Sequence, residues 1–216
     1  MSATLGRLMF PAGAAGNHVR WLLFLDDQFP NSVGLNSIEE KVNFIKQRVY
    51  NSSRTWNTWL KKEWEYRPAL DKVLLVDHSP SPPTPGEKRL YLETLNPELP
   101  ALHYFHINLG LMAKTPMQFV EIIKNFNDNC NIIRAKNLED IKIVVCDGLF
   151  QPVLDYQTYR EIINFYGFSD NYDAAQQIHT LYHNCRVASA RDFCNWFEGN
   201  EFKNYFNLLQ ELGNTQ

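Results

Sequence analysis

Short apolar runs alternate with stretches of helical period along most of the chain. Leu5 to Phe10 is such a run, closed by Pro11, and predicts a buried strand. The small-residue turn Ala12-Gly13-Ala14-Ala15-Gly16-Asn17 follows. From His18 to about Gln28 the period is helical, with Val19, Leu22, Leu23 and Phe24 on the inward face. Ser37, with Glu40 three residues on, forms a capping box that opens a helix to about Tyr50. Ser53 to Tyr66 carries Trp56, Trp59, Leu60 and Trp64 at helical spacing and ends at Arg67-Pro68. Those tryptophans read as core or lid packing sooner than as a base-stacking platform.

Lys72 to Asp77 predicts a second buried strand. The segment Ser79 to Gly86 has four prolines in eight residues and reads as an exposed loop. Leu90 to Leu95 reads as an edge strand and Ala101 to Leu109 as a third core strand. Pro116 starts a helix through about Phe126. Cys130 to Ala135 and Ile141 to Cys146 are the fourth and fifth strands. Helices over Asp155 to Tyr166, Ala174 to Arg186 and Ala190 to Leu212 make the stretch 155–216 helical. Strands alternating with helices predict one α/β domain over 1–216, with three α/β/α layers and a mostly parallel central sheet.

Composition narrows the class. At 216 residues, 44% hydrophobic and 21% charged, the chain can bury a core without staples. A net charge of −3 with no basic run argues against a nucleic-acid binder. Cys130, Cys146, Cys185 and Cys194 form no C-x-x-C pair and read as reduced core thiols, pointing to the cytoplasm. The apolar run Trp21 to Leu25 ends at Asp26-Asp27. That is far short of the roughly 20 residues of a membrane span, so no membrane partner is expected.

The candidate chemistry sits between the first strand and the first helix. A strand, a small-residue turn and a helix bring free backbone N–H groups and a positive helix end to one place. An anion there would meet the N–H groups of Gly13, Ala14, Ala15, Gly16 and Asn17, and His18 and Arg20 could add donors. The G-x-x-x-x-G-K-[ST] and G-x-G-x-x-G patterns are both absent, which disfavours an ordinary ATPase, GTPase or NAD enzyme. The alternative for this turn is tight packing by small residues.

The stretch Phe10-Pro11-Ala12-Gly13-Ala14-Ala15-Gly16-Asn17-His18-Val19-Arg20-Trp21-Leu22-Leu23 resembles the 5′-phosphosulfate loop of sulfotransferases. The shared parts are the leading Phe-Pro, a Gly-Asn pair, and Arg20 ahead of an apolar triplet. Ala12 stands where that family has Lys. Val144 to Pro152 and then Tyr159 to Phe168 resemble the family's late strand, its turn and the helix after it. His106-Ile107-Asn108-Leu109 is similar to the segment bearing the family's catalytic His, with His103 as an alternative. Ile132-Ile133-Arg134 is similar to the strand whose Arg binds the 3′-phosphate, although the family's following Ser has no match. The resemblance implies a P-loop-type nucleotide-binding fold that takes 3′-phosphoadenosine 5′-phosphosulfate. It implies sulfuryl transfer to a hydroxyl or amine of a small-molecule or glycan-like acceptor, with His106 as general base and no metal.

Two rivals follow from the same residues. Ala12 and the missing Ser suit a domain that keeps the fold and binds an anion or nucleotide without catalysis. An atypical kinase-like enzyme on a similar sheet is the other, though no Lys, Ser or Thr follows Gly16; Val73 to Asp77 has the shape of a Walker B strand, but without a Walker A Lys the pair is incomplete and Asp77 reads as a strand-end residue that could line the ligand crevice. His179 and His183 lie four residues apart on a predicted helix. That spacing can share a metal, but without a clear third ligand it reads as a surface or interhelix pair.

Overall fold

A computed structural model describes residues 6–10, 15–26, 34–50, 74–77, 87–96, 124, 127–128, 131 and 141–197. Among these, four strands form one sheet: β1 Gly6–Met9, β2 Leu74–Asp77, β3 Lys88–Glu93 and β4 Ile141–Val145. Their order is β2-β1-β3-β4 and all three pairings are parallel, with Leu8 opposite Val76 and Leu90, and Leu92 opposite Val144. The expected α/β class with a parallel sheet is therefore present.

Side chains alternate between the two sheet faces, as the strand period demands. Leu8, Leu90, Leu92 and Val144 belong to the main core with the helices, while Met9 and Tyr91 pack with Ile141 and Ile143 in a separate cluster. β3 is not the edge strand its sequence suggests. It is paired on both sides, and its polar Arg89 is buried in an ion pair with Glu87 at 2.6 Å. The polar look of a central strand thus comes from a charge neutralised in place.

The longer helices among the described residues are α1 Gly16–Phe24, α2 Ile38–Ile45, α3 Tyr156–Tyr166 and α4 Tyr172–Phe197. α2 runs on into a π-helical turn, Lys46–Tyr50. Its capping box is present, with the Ser37 hydroxyl accepting from the Glu40 N–H and the Glu40 carboxylate accepting from the Ser37 N–H. The Asp155 carboxylate caps α3 by accepting from the Thr158 N–H at 2.7 Å, and Gly167 ends it in the left-handed region at φ 79°. Between β4 and α3 lies a 3₁₀ turn, Asp147–Phe150.

Three expectations change. α1 begins at Gly16, and all nine of its residues are buried, so it has no solvent face. The two helices expected over 174–186 and 190–212 begin as one, because α4 continues through Val187-Ala188-Ser189, where no Gly or Pro interrupts it. Asn131 is helical, against the strand expected over Cys130 to Ala135. An apolar run that short does not distinguish strand from helix. The stretches 51–73, 78–86 and 101–123 lie outside the described residues, and with them the tryptophan-bearing helix, the proline loop and the third core strand. No helix among the described residues is long and apolar enough to cross a membrane.

Candidate functional site

The strand order creates the site. From β1 the chain leaves for β2 on one side of the sheet, then returns past β1 to β3 and on to β4 on the other. The order therefore reverses between β1 and β3, the kind of switch point at whose strand carboxyl ends open α/β sheets hold ligands. The connection after β1 leads into the N-terminus of α1.

That N-terminus has unusual local chemistry. Ala15, its N-cap, sits at φ 59°, the left-handed region that costs an L-residue about 1–2 kcal/mol. Gly16 is required by contact: a Cβ there would overlap the ring of Phe10, which closes β1 and is itself buried. No side chain caps α1, and no acidic residue lies in its first turn. Its first N–H groups and positive end are therefore not answered by the cap that α2 and α3 each possess.

The opposite wall is α4, antiparallel to α1. The Asn171 amide lies 3.5 Å from the Leu25 carbonyl oxygen at the C-terminal end of α1, and the Ser169 N–H donates to Asp26 at 2.6 Å. Near its other end, His18 Nε2 meets His179 Nδ1 at 3.0 Å. The His18 ring also stacks flat on Tyr182, with centroids 3.9 Å apart and planes 3° from parallel. Ascending α4 thus means descending α1, and Arg186, one turn beyond Tyr182, follows the residue whose ring stacks on the first turn of α1.

Protonation in the histidine pair follows from its acceptor. His179 Nε2 lies 2.7 Å from the Gln151 carbonyl oxygen, which can only accept, so Nε2 carries the proton. Burial lowers the His179 pKa to about 4, so the ring is neutral and its Nδ1 accepts from His18 Nε2–H. His183 is likewise lowered to about 4, by burial first and then by the Arg186 charge.

Beyond His183 the site becomes cationic. Arg186 is 2% exposed; its guanidinium lies 4.4 Å from the Phe150 ring centroid and 5.5 Å from that of Tyr182. Burial lowers its pKa, yet a guanidinium stays charged in a protein. Its Nε and Nη1 are buried without a hydrogen-bond partner, as are His183 Nδ1 and Asn17 Oδ1. Cys146, just after β4, is fully buried, and burial together with the Asp147 charge raises its thiol pKa well above the ordinary value. It is an inert core thiol. Asp147 ties the loops after β3 and β4 together, accepting from the Thr94 hydroxyl at 2.5 Å, the Leu95 N–H at 3.1 Å and the Asn96 amide at 3.2 Å.

No family model, curated protein or solved structure matches this chain. The site therefore stands on its own geometry. Of the residues singled out in the sequence, the structure brings Ala15, Gly16, Asn17, His18 and Arg20 to the start of α1. Asn17, His18 and Arg20 are buried, and the His18 Nε2 is engaged with His179. Gly13, Ala14, His103, His106 and Arg134 lie outside the described residues. His179 joins two helices, and among the described residues no three His, Cys, Asp or Glu side chains gather as a metal site. Sequence reasoning missed Tyr182 and Arg186. The signal was a polar stripe, His179, Tyr182, His183 and Arg186, at helical spacing on one face of α4.

Proposed function

We propose that this chain is a sulfotransferase-like protein that binds the anionic end of 3′-phosphoadenosine 5′-phosphosulfate at the N-terminus of α1. The observation that carries the reading is the uncapped, left-handed turn into α1, set at the switch point between β1 and β3. A helix start in that position offers N–H groups and a positive end to phosphate oxygens. The resemblance of Phe10 to Leu23 to a 5′-phosphosulfate loop supplies the nucleotide's identity, and a P-loop-type architecture goes with it.

In this reading His106, with His103 as the alternative, takes the proton from an acceptor hydroxyl or amine. The acceptor atom forms a bond to sulfur as the bond from sulfur to the 5′-phosphate oxygen breaks. The N–H groups from Gly13 to Asn17, with Arg20, hold the departing phosphate, and Arg134 holds the 3′-phosphate. Most of the rate enhancement comes from positioning and from neutralising charge.

Calorimetric titration with adenosine 3′,5′-bisphosphate, with ATP and NAD alongside, tests the reading. Selective binding of the bisphosphate is the expected result; equal binding of all three, or none, refutes it. Ala12 favours a second reading, a domain that binds the nucleotide without transferring sulfate. Turnover of the phosphosulfate against a panel of hydroxyl and amine acceptors separates the two.

A further inference from the structure

The residues from Phe10 to Asn17 include neither Lys nor Arg, so the turn brings no cationic side chain of its own to an anion. The nearest charge of the right sign on the facing helix is buried. Arg186 is 2% exposed, and the groups that act electrostatically on it are Tyr182 and Cys146, with no carboxylate among them. A buried cation with no counter-ion among the described residues is costly, and its contacts with the Phe150 and Tyr182 rings offset only part of that cost. Nε and Nη1 remain as donors without acceptors. Native proteins rarely leave buried donors so, and a bound ion, a bound water or a functional role is what accounts for those that remain. The guanidinium lies 5.5 Å from the Tyr182 ring, which itself stacks on His18 in the first turn of α1, and that helix start has no side-chain cap at Ala15.

We infer that Arg186 is the buried cationic anchor of the anion site, binding a phosphate or sulfate oxygen of the ligand held at the N-terminus of α1. The proposal rests on the anion site described above but not on the adenosine part of the ligand. Two independent donor sets converge: backbone N–H groups from α1 and one guanidinium from α4. His183, one turn earlier and neutral, leaves the cationic role on that face, among the described side chains, to Arg186. The stacked His18 and Tyr182 rings and the His18–His179 hydrogen bond fix the spacing between the two helices, and so between the two donor sets. The ligand class is a tetrahedral oxyanion ester or anhydride, and binding it would supply the counter-charge that Arg186 lacks.

The test titrates the full chain and its R186M and R186K variants with inorganic pyrophosphate and with adenosine 3′,5′-bisphosphate, and records the ligand-free Tm of each. Losing charge-assisted hydrogen bonds should weaken pyrophosphate binding by about 10- to 100-fold in R186M. R186K, which keeps the charge but not the planar fork, should fall between. Ligand-free R186M should melt no lower than the wild type, because an uncompensated charge has been removed. Pyrophosphate binding that depends on Arg186, without bisphosphate binding, would uphold the anchor and dismiss the nucleotide reading. Bisphosphate binding unchanged in R186M would dismiss the anchor and leave that reading intact. No anion binding by the wild type overturns the anchor. If R186M fails to fold, the Arg186 Nε–H resonance, assigned by its absence from R186K, decides: it shifts on saturation with pyrophosphate if the anchor is real, and an unmoved signal overturns it.

Discussion

His18 and His179 share one hydrogen bond across α1 and α4, and the Gln151 carbonyl sets its direction. The order is fixed: His18 Nε2–H donates to His179 Nδ1, and His179 Nε2–H donates to Gln151. Removing the middle ring orphans a buried donor on one side and a backbone acceptor on the other. We expect His179→Ala to cost about 2–4 kcal/mol, from packing and the two broken bonds. Urea denaturation of H18A, H179A and the double variant should show a coupling of about 1 kcal/mol. Strictly additive losses would mean the pair carries no energy of its own.

Acid should weaken the fold through the same helix. His179 and His183 are lowered from 6.5 to about 4 in the folded protein. Between these values the unfolded chain binds protons at both rings and the native chain does not, so stability rises with pH across this window. The contribution is complete above about pH 6.5 and lost as pH falls toward 4. Thermal melts from pH 7.5 to 4.5 should show Tm dropping mainly below 6.5, with the drop reduced in His179→Gln. A wild-type Tm unchanged between pH 6.5 and 4.5 would contradict the assignment.

Gly16 and Phe10 exclude each other's growth. Gly16→Ala forces its new methyl into the Phe10 ring, and overpacking of this kind costs about 1–3 kcal/mol. Adding Phe10→Leu should recover part of that loss, although Phe10→Leu alone is destabilising. Chemical denaturation of the two single variants and the double variant measures it. No recovery in the double variant would show that the clash lies elsewhere.

Ala15 holds a backbone conformation that glycine adopts without strain. Ala15→Gly relieves about 1–2 kcal/mol of native strain, against roughly 0.4–1 kcal/mol of added unfolded-state entropy. We expect a net gain near 0.5 kcal/mol in a urea titration. A clear loss would mean the Ala15 methyl contributes more by packing than its backbone strain costs.

The sequence made the local signals legible and left the long-range ones hidden. The Ser37 and Glu40 box, the Asp155 start and the Gly167 stop lie within one or two residues of their structural positions, because caps are written in adjacent residues. The parallel sheet was legible from the alternation of strands and helices. The place of β3 was not, because Arg89 reads as a surface residue until Glu87 is seen to neutralise it in the core. The candidate site divided the same way. Gly16 to Arg20 announced a turn and a helix start, whereas Arg186 needed the register of two antiparallel helices, which the contact between His18 and His179, 161 residues apart in the chain, supplies. The stripe on α4 was present in the sequence, but its meaning depends on what it faces.

α1 is sealed in the core along its whole length, and this sets how the site responds to partial unfolding. Binding elements are usually drawn from the parts of a protein that open most easily, so ligands stabilise local closing. Here Gly16 and Asn17, two of the residues whose N–H groups are proposed to hold the anion, belong to a helix with no exposed residue. Their hydrogen exchange should fall in the slowest class, released only by global opening. Binding should then vanish with the whole fold in a single step, at the same denaturant concentration, and an anion bound at α1 would protect distant core amides as strongly as its own contacts.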